Sequence, residues 1–517
     1  MGVLFDECAD RGHATTVHLD RVFDIAPDAG IVHDIPALAE LVRATAGWLA
    51  AAGARRGDRV AIVKDNHWDY DLLACAAVRI GAVPAKLSGG LPPGSLAVLL
   101  GRLDPAVLVT TATVLSAARE EGVELTALSR VTVDLTGADP MARTVADLRG
   151  HDAPPPVRPS DDAPLVIMHT SGTTGLPKLV AHSTGTIIGA LARMEATPTP
   201  ISVRRTDTLA NLSAYAHGRT FCWTASALSL VPQRILVLTG ADPDLADPVL
   251  RAHPPTVVEA LPATYVRLQP LTTRLDNAFR DVRLFMSTYD AMHPPTVRAY
   301  LAASARRRPL WMQGWGQSET GPITFRFLTR RAADVRDVGR PVPFRTRLRV
   351  VDPDTLVPVP RGHPGVVQVR TPARCLGYVG EDDRFAGKCA QGWWNTGDVA
   401  VLSRTGRVRL LDREVDRLPG MSCLAVEDLV EDLLDEVVEC VVLNRRGGPP
   451  LPVVVTADGT LDRAAWTAAV ADLPAMADPL VLGWDDLPRT GTGKVRRTAL
   501  LAALTGSAAT AGTGRWT

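Results

Sequence analysis

An α/β architecture with a largely parallel sheet is the fold this sequence predicts, and two observations carry the prediction. Helical and extended apolar patterns alternate at short pitch from residue 36 to residue 87. Further on, the short apolar run Leu165 Val166 Ile167 Met168 feeds directly into a loop of hydroxyls and glycines. From Pro36 to Gly53, Leu38, Leu41, Val42, Ala46 and Leu49 recur at helical spacing and stop at a glycine, which predicts an amphipathic helix. Gly57 and Asp58 then turn the chain into the strand Arg59 Val60 Ala61 Ile62 Val63. Residues 72–80 predict the next helix, closed by Gly81, and Val83 Pro84 Ala85 Lys86 Leu87 the strand after it. The proline-rich stretch from His151 to Pro156 predicts a surface crossing between subdomains. The apolar segment from Phe221 to Gly240 is interrupted by Pro232, Gln233 and Arg234, so it reads as buried core.

Composition bounds the function. A chain of 517 residues is too long for one ordinary domain and predicts about three units, and its 46% hydrophobic content supports sizeable cores. Lysine plus arginine equals aspartate plus glutamate at 56 each, so no overall field favours nucleic acid or an anionic membrane. The one compact basic cluster, Arg306 Arg307 Arg308, reads as a solvated helix end. Seven scattered cysteines form no CxxC pair, which points to reduced thiols in a cytoplasmic protein and to no cysteine metal site. The opening MGVLFDECADRG has neither a basic n-region nor an apolar h-region, and no membrane partner is expected.

The loop is the chemically informative segment. It reads HTSGTTGLPKLV from His169 to Val180. Glycine permits close approach and positive φ, so such a loop can turn backbone N–H groups and hydroxyls toward a polyphosphate. The common nucleotide loop needs Gly-Lys followed by Ser or Thr, whereas here Lys178 lies between Pro177 and Leu179.

The segment resembles instead the phosphate loop of the adenylate-forming superfamily of acyl-CoA synthetases, peptide-synthetase adenylation domains and luciferases. Four further motifs follow in the family's order. Gln313 to Gly321 (QGWGQSETG) is similar to its adenine and magnesium motif, and Gly392 to Asp398 (GWWNTGD) to its ribose motif. Asp412 Arg413 with Asp416 resembles the arginine-plus-hinge segment, and Leu487 to Lys494 (LPRTGTGK) the terminal lysine motif.

The resemblance implies a large N-terminal domain, residues 1–415, of layered α/β subdomains with mostly parallel sheets and a β-barrel-like subdomain. A small mobile α+β lid, residues 416–504, turns about Asp416. The small polar residues 505–517 read as a disordered tail. It implies ATP and Mg²⁺, with CoA or phosphopantetheine as co-substrate, a small-molecule acid as substrate and a carrier protein as possible partner. Thr170, Ser171, Gly172, Thr173, Thr174 and Gly175, with Lys178, would cradle the β- and γ-phosphates. Glu319 and Thr173 would hold the metal, with Ser318 beside the nucleotide and Trp315 stacked on adenine between Gly314 and Gly316. Asp398 would accept from the ribose hydroxyls and Arg413 reach ribose or phosphate. Lys494 would bridge the substrate and the α-phosphate, since an ionised acid needs positioning and charge compensation rather than a general base. Tyr215, His217 and Gly218 fall where relatives gate the acid pocket, and His217 joins Lys494 as a catalytic candidate. Glu259, inside an apolar run, is a further residue within reach of the pocket.

Three departures from the family pattern stand out. The loop after Asp416 passes through Leu418 and Pro419 to Gly420 and is about two residues short, which weakens the case for thioester formation. Ser287 Thr288 Tyr289 Asp290 Ala291 replaces the usual Gly-Gly-Ala type segment behind the acyl pocket. A phenol and a carboxylate there, with Gly314, predict a small polar pocket for an aromatic or amino-bearing substrate. Leu179 replaces a commoner glycine. A serine hydrolase is excluded because Ser318 lacks the Gly-x-Ser-x-Gly elbow. A non-catalytic regulator would be expected to lose Lys494, Glu319 or Asp398. The principal reading is therefore ATP-dependent activation of a small carboxylic acid followed by transfer to a thiol. Activation of nitrite for diazotisation of an aryl amine is the alternative.

Overall fold

A computed structural model describes residues 1–134, 142–170, 176–290, 292–331, 335–414, 421–445 and 448–505. The first predicted helix runs Ile35–Ala51. Asp34 caps it by accepting from the Ala37 N–H at 2.8 Å, Pro36 sits in its first turn, and Leu38, Val42, Ala46 and Leu49 are buried. The strand Arg59–Lys64 pairs in parallel with Val83–Ser88 on one side and Val107–Thr110 on the other. The intervening helix, Asp69–Arg79, begins three residues before the predicted start. Asp69 and Asp71 look like a polar turn in sequence, yet both are fully buried, paired with Lys64 and Lys86 respectively.

These strands belong to an eight-stranded sheet whose parallel centre includes Pro164–His169, joined antiparallel to Leu179–Ser183. The apolar run read in the sequence is thus one arm of a hairpin. The hydroxyl loop is its connection, closed where the Thr170 N–H donates to the Lys178 carbonyl at 3.0 Å.

A second, fourteen-stranded sheet stacks the parallel strands Thr16–Leu19, Arg234–Val237, Thr208–Leu212, Val257–Ala260, Leu284–Ser287 and Leu310–Gln317. Beyond Leu310–Gln317 the same sheet turns antiparallel, through Gly321–Leu328, Asp337–Pro341, Val408–Arg413, Trp393–Leu402, Pro364–Arg370 and Arg347–Val351. This extension stands where the barrel-like subdomain is expected, and among the described residues it closes no barrel. The mixed α/β class with mostly parallel sheets is as the sequence predicts. The segment from Phe221 onward is core: the helix Gly218–Leu230 is buried along almost its whole length.

A third sheet, of Val437–Leu443, Leu451–Thr456 and Leu480–Leu482, lies near the C-terminus with its own core around Val430, Val442, Val454 and Trp466. Arg336 pairs with Asp428, and His293 Nδ1 lies 3.2 Å from Glu431; both contacts join this unit to the larger one. The hinge position Asp416 and the terminal tail from residue 506 lie outside the described residues. No described helix is long and apolar enough to cross a membrane, and among the described residues no two cysteines form a disulfide.

Candidate active site

The motifs, scattered over more than three hundred residues of sequence, converge on one cavity of about 220 Å³. Thr170 and Lys178 reach it from the two arms of the hairpin. Ser318 and Glu319 reach it from the end of Leu310–Gln317, Arg413 from the end of Val408–Arg413, and Lys494 from the C-terminal unit. Residues Ser171, Gly172, Thr173, Thr174 and Gly175 lie outside the described residues. Gln317 ties two motifs together: its Nε2 donates to the Thr396 carbonyl at 2.6 Å and to Asp398 at 3.1 Å, while Trp394 donates to its Oε1 at 3.2 Å.

One end of the cavity is rich in cations. Lys178, Arg384, Lys388 and Arg413 line it with Glu319, while Glu381 and Asp398 pair with Arg384 and Arg413 from behind the wall, which leaves the cations in excess. That imbalance suits a polyanion. Burial lowers the Lys178 ammonium, with Glu319 pulling it back up. Burial, together with repulsion from Lys178 and Arg413, brings Lys388 down to about 8. Glu319 is 7% exposed and accepts from the Tyr378 hydroxyl at 2.6 Å through Oε1. Its other oxygen has no hydrogen-bond partner among the described residues, and one free hard oxygen fits a Mg²⁺ that takes its remaining ligands from phosphate and water. Lys388, Arg384 and Tyr378 escape motif reading because each is an ordinary residue in an unremarkable stretch: Tyr378 is placed by pairing with Val180, and Arg384 and Lys388 by the helix Asp382–Gly387 that follows it.

The other end is small and mixed in polarity. His217 stands at the N-cap of Gly218–Leu230, its ring 4.5 Å from that of His169. Burial, then His169 and Lys86, push it well below the ordinary imidazole range, and burial takes His169 to about 4. Both rings are therefore neutral at physiological pH and act through hydrogen bonds. A Cβ at 218 would meet the thioether of Met168, so any larger residue there would displace that flexible side chain. Tyr289 and Gly314 form part of the wall, and Tyr289 adopts φ 81°, a region side chains rarely enter. Arg219 and Glu195, neither anticipated, line this end as well. Glu259 is 1% exposed and meets the cavity only through Arg219, which binds it with two N–H groups at 2.7 and 3.0 Å.

Four expected positions lie off the lining of the cavity. Tyr215 is core, not wall: it is fully buried and its hydroxyl donates to the Asn211 carbonyl at 3.2 Å. Asp290 stands at the mouth, half-exposed, with one oxygen 3.7 Å from Lys494 Nζ. Trp315 is out of phase with Met312, Gly314 and Gly316, which face the cavity; the pleat sends its indole to pack against the main core. Asp398 lies behind the wall, 3.2 Å from Arg413 Nε, so the two form an ion pair across neighbouring strands.

Residues 33–379 match the family described as AMP-binding enzyme. The chain is 39% identical, over 99% of its own length and 96% of the relative's, to 3-amino-2-hydroxy-4-methoxybenzoate diazotase of Streptomyces cremeus. It is 28% identical to 3-hydroxybenzoate–CoA ligase of Aromatoleum sp., covering 89% of each chain. An anthranilate CoA ligase in complex with anthranoyl-AMP shares its fold, with a TM-score of 0.81 at 18% identity over 98% of this chain and 97% of that one.

Proposed function

Because this chain belongs to the family of AMP-binding, adenylate-forming enzymes, we propose that it activates nitrite with ATP and passes the nitroso group to an aryl amine. The observation that carries this reading is the 39% identity, sustained over nearly the whole of both chains, with a diazotase. A second diazotase, acting on 3-aminoavenalumate, is 26% identical over 91% of the chain. The small mixed pocket, with Tyr289 in its wall, supports the same reading because it suits a compact polar ring rather than an acyl chain.

Nitrite is already an anion at neutral pH, so it needs placement rather than a base. One of its oxygens attacks the α-phosphorus, the bond to pyrophosphate breaks, and a nitrosyl–adenylate mixed anhydride forms. The amine lone pair then attacks the nitroso nitrogen, AMP departs with the N–O electron pair, and a proton is lost. The resulting N-nitrosamine rearranges and loses hydroxide to give the diazonium. In this scheme residues 170–175 and Lys178 hold the β- and γ-phosphates, and Lys494 offsets charge at the α-phosphate. Arg413, backed by its ion pair with Asp398, serves the ribose, and His217 separates the nucleotide from the amine. Mg²⁺, held by Glu319 and phosphate oxygens, would supply charge neutralisation on the departing pyrophosphate. Residues 416–504 would act as the lid, turning about Asp416.

Pyrophosphate release decides the matter. Nitrite with an aryl amine should drive it at least tenfold faster than any member of a panel of aryl acids with CoA. The reverse order would replace this reading with acid–thiol ligation, which the 28% identity with 3-hydroxybenzoate–CoA ligase favours, and CoA or a carrier phosphopantetheine would then be the acceptor.

The cation-rich end gives a pH prediction. Lys388, brought down to about 8, is mostly protonated at pH 7 and mostly neutral at pH 9. ATP favours the protonated form, so affinity should fall as pH rises through 8, about tenfold for each unit by which bound ATP raises that value. Titrating ATP at pH 7 and pH 9 tests this; Lys388→Met should flatten the difference.

A further inference from the structure

The deep end of the cavity carries a charge arrangement that the reaction scheme leaves unused. Arg219 gives two N–H groups to Glu259 and a third to Glu195 at 2.6 Å. A guanidinium has only five donors, and two carboxylates already share it. Burial pushes the Glu259 carboxyl upward while Arg219 draws it back. In either protonation state of Glu259 no surplus positive charge remains on this wall, so a substrate carboxylate pointed at it meets at least one anion across little water. Glu195 is the most accessible of the trio, with its side chain 19% exposed against 15% for Arg219 and 1% for Glu259. Its side chain lines the cavity, and its Oε2 accepts from Arg219 and from the Ser226 hydroxyl. Its Oε1 has no hydrogen-bond partner among the described residues.

A second, independent observation points to a ligand. Three buried polar atoms of the same walls have no partner among the described residues: His217 Nε2, Thr288 Oγ1 and the Tyr289 hydroxyl. Buried polar groups are rarely left so, and His217 is only 4% exposed. Tyr289 also sits at φ 81°, with its ring edge-on to His217 at 5.9 Å. Backbone strain of this kind persists where the surrounding structure holds a functional side chain in place. Met312, Gly314 and Phe325 supply apolar wall to the same cavity.

We propose that this end seats an aromatic amine which presents a second hydrogen-bond donor, a hydroxyl or another amino group, to Glu195, with Tyr289 and Thr288 completing its polar edge. The proposal rests on the nitrite reading for the fate of the amine but not for its binding. A ring carboxylate, where present, is turned away from Arg219. Specificity then lies in a charge pattern: the wall accepts protons in hydrogen bonds and disfavours anions.

Binding without nitrite tests the seat separately from the chemistry. Calorimetric titration of the AMP-loaded enzyme should show 2-aminophenol binding at least tenfold tighter than 2-aminobenzoate, which places a carboxylate where the former has a hydroxyl. Glu195→Gln should weaken 2-aminophenol about tenfold while leaving or improving 2-aminobenzoate, since a charge-assisted acceptor becomes a neutral one. Tyr289→Phe keeps the ring and should cost 2-aminophenol severalfold. It carries the test alone should Glu195→Gln fail to bind AMP. Tighter binding of 2-aminobenzoate by the parent, or an unchanged ratio in both variants, overturns the proposal. Failure of nitrite to release pyrophosphate would overturn the reaction and leave this preference standing.

Discussion

Lys494→Ala should lower pyrophosphate release on the order of 10² to 10³-fold while leaving ATP affinity within a few-fold of the parent. The ammonium is delivered to the cavity by a tight turn. The Thr490 N–H donates to the Lys494 carbonyl at 2.8 Å, the Lys494 N–H donates to the Thr490 hydroxyl at 3.2 Å, and the Thr490 and Thr492 hydroxyls lie 3.0 Å apart. Gly493 takes φ 80° within that turn. The turn is thus built before substrate arrives, and a charge fixed in advance acts on the transition state without reorganisation. Nζ also stands 3.7 Å from Asp290 at the cavity mouth, a partner that keeps the side chain over the opening. Most of the ATP affinity should survive, because Lys178, Lys388, Arg384 and Arg413 line the nucleotide end independently of Lys494. Rapid-quench measurement of pyrophosphate separates the two effects. An alanine variant that turns over at the parent rate would remove Lys494 from the mechanism.

Asp71→Ala should destabilise the protein by about 3–5 kcal/mol, the usual effect of stripping the partner from a buried charge. Asp71 and Lys86 are both fully buried and bonded to each other. Thr224 donates to Asp71 at 3.0 Å, and Lys86 donates to the Thr220 hydroxyl at 3.0 Å and to the His217 carbonyl at 3.2 Å. Alanine leaves the ammonium with neutral oxygens alone in an apolar setting. The loss should therefore be largely recovered by a second change, Lys86→Met, which removes the stranded charge. Chemical unfolding of the two variants checks both statements, and a double variant no more stable than Asp71→Ala would show that the pair is not the cause. Because Lys86 holds the carbonyl of His217 at the start of the helix that also carries Arg219, weakened substrate binding should accompany the single change.

Those buried ions mark the limit of sequence reading. Local patterns were legible: the helix Ile35–Ala51, the strands that follow it and the strand that leads into Thr170 all follow from periodicity and turn chemistry within a few residues, whereas the second hairpin arm, Leu179–Ser183, emerged only from strand pairing. Trp315 was legible as an aromatic between glycines but not as one turned to the core, since a pleat's phase is set by strand pairing. Tyr215 reads as a pocket residue by position, and its hydroxyl instead satisfies a backbone carbonyl nearby.

By itself the sequence determined the class of fold, the family and the order of motifs along the chain, because these depend on short-range spacing and on residue chemistry that folding leaves intact. Tertiary structure alone decided which charges face one another. Arg219 meets Glu259 forty residues away, and Lys388 joins Lys178 and Arg413 across separate sheets. A buried charge is tolerated only beside its counterion, and that proximity is a property of packing, not of any local stretch of chain.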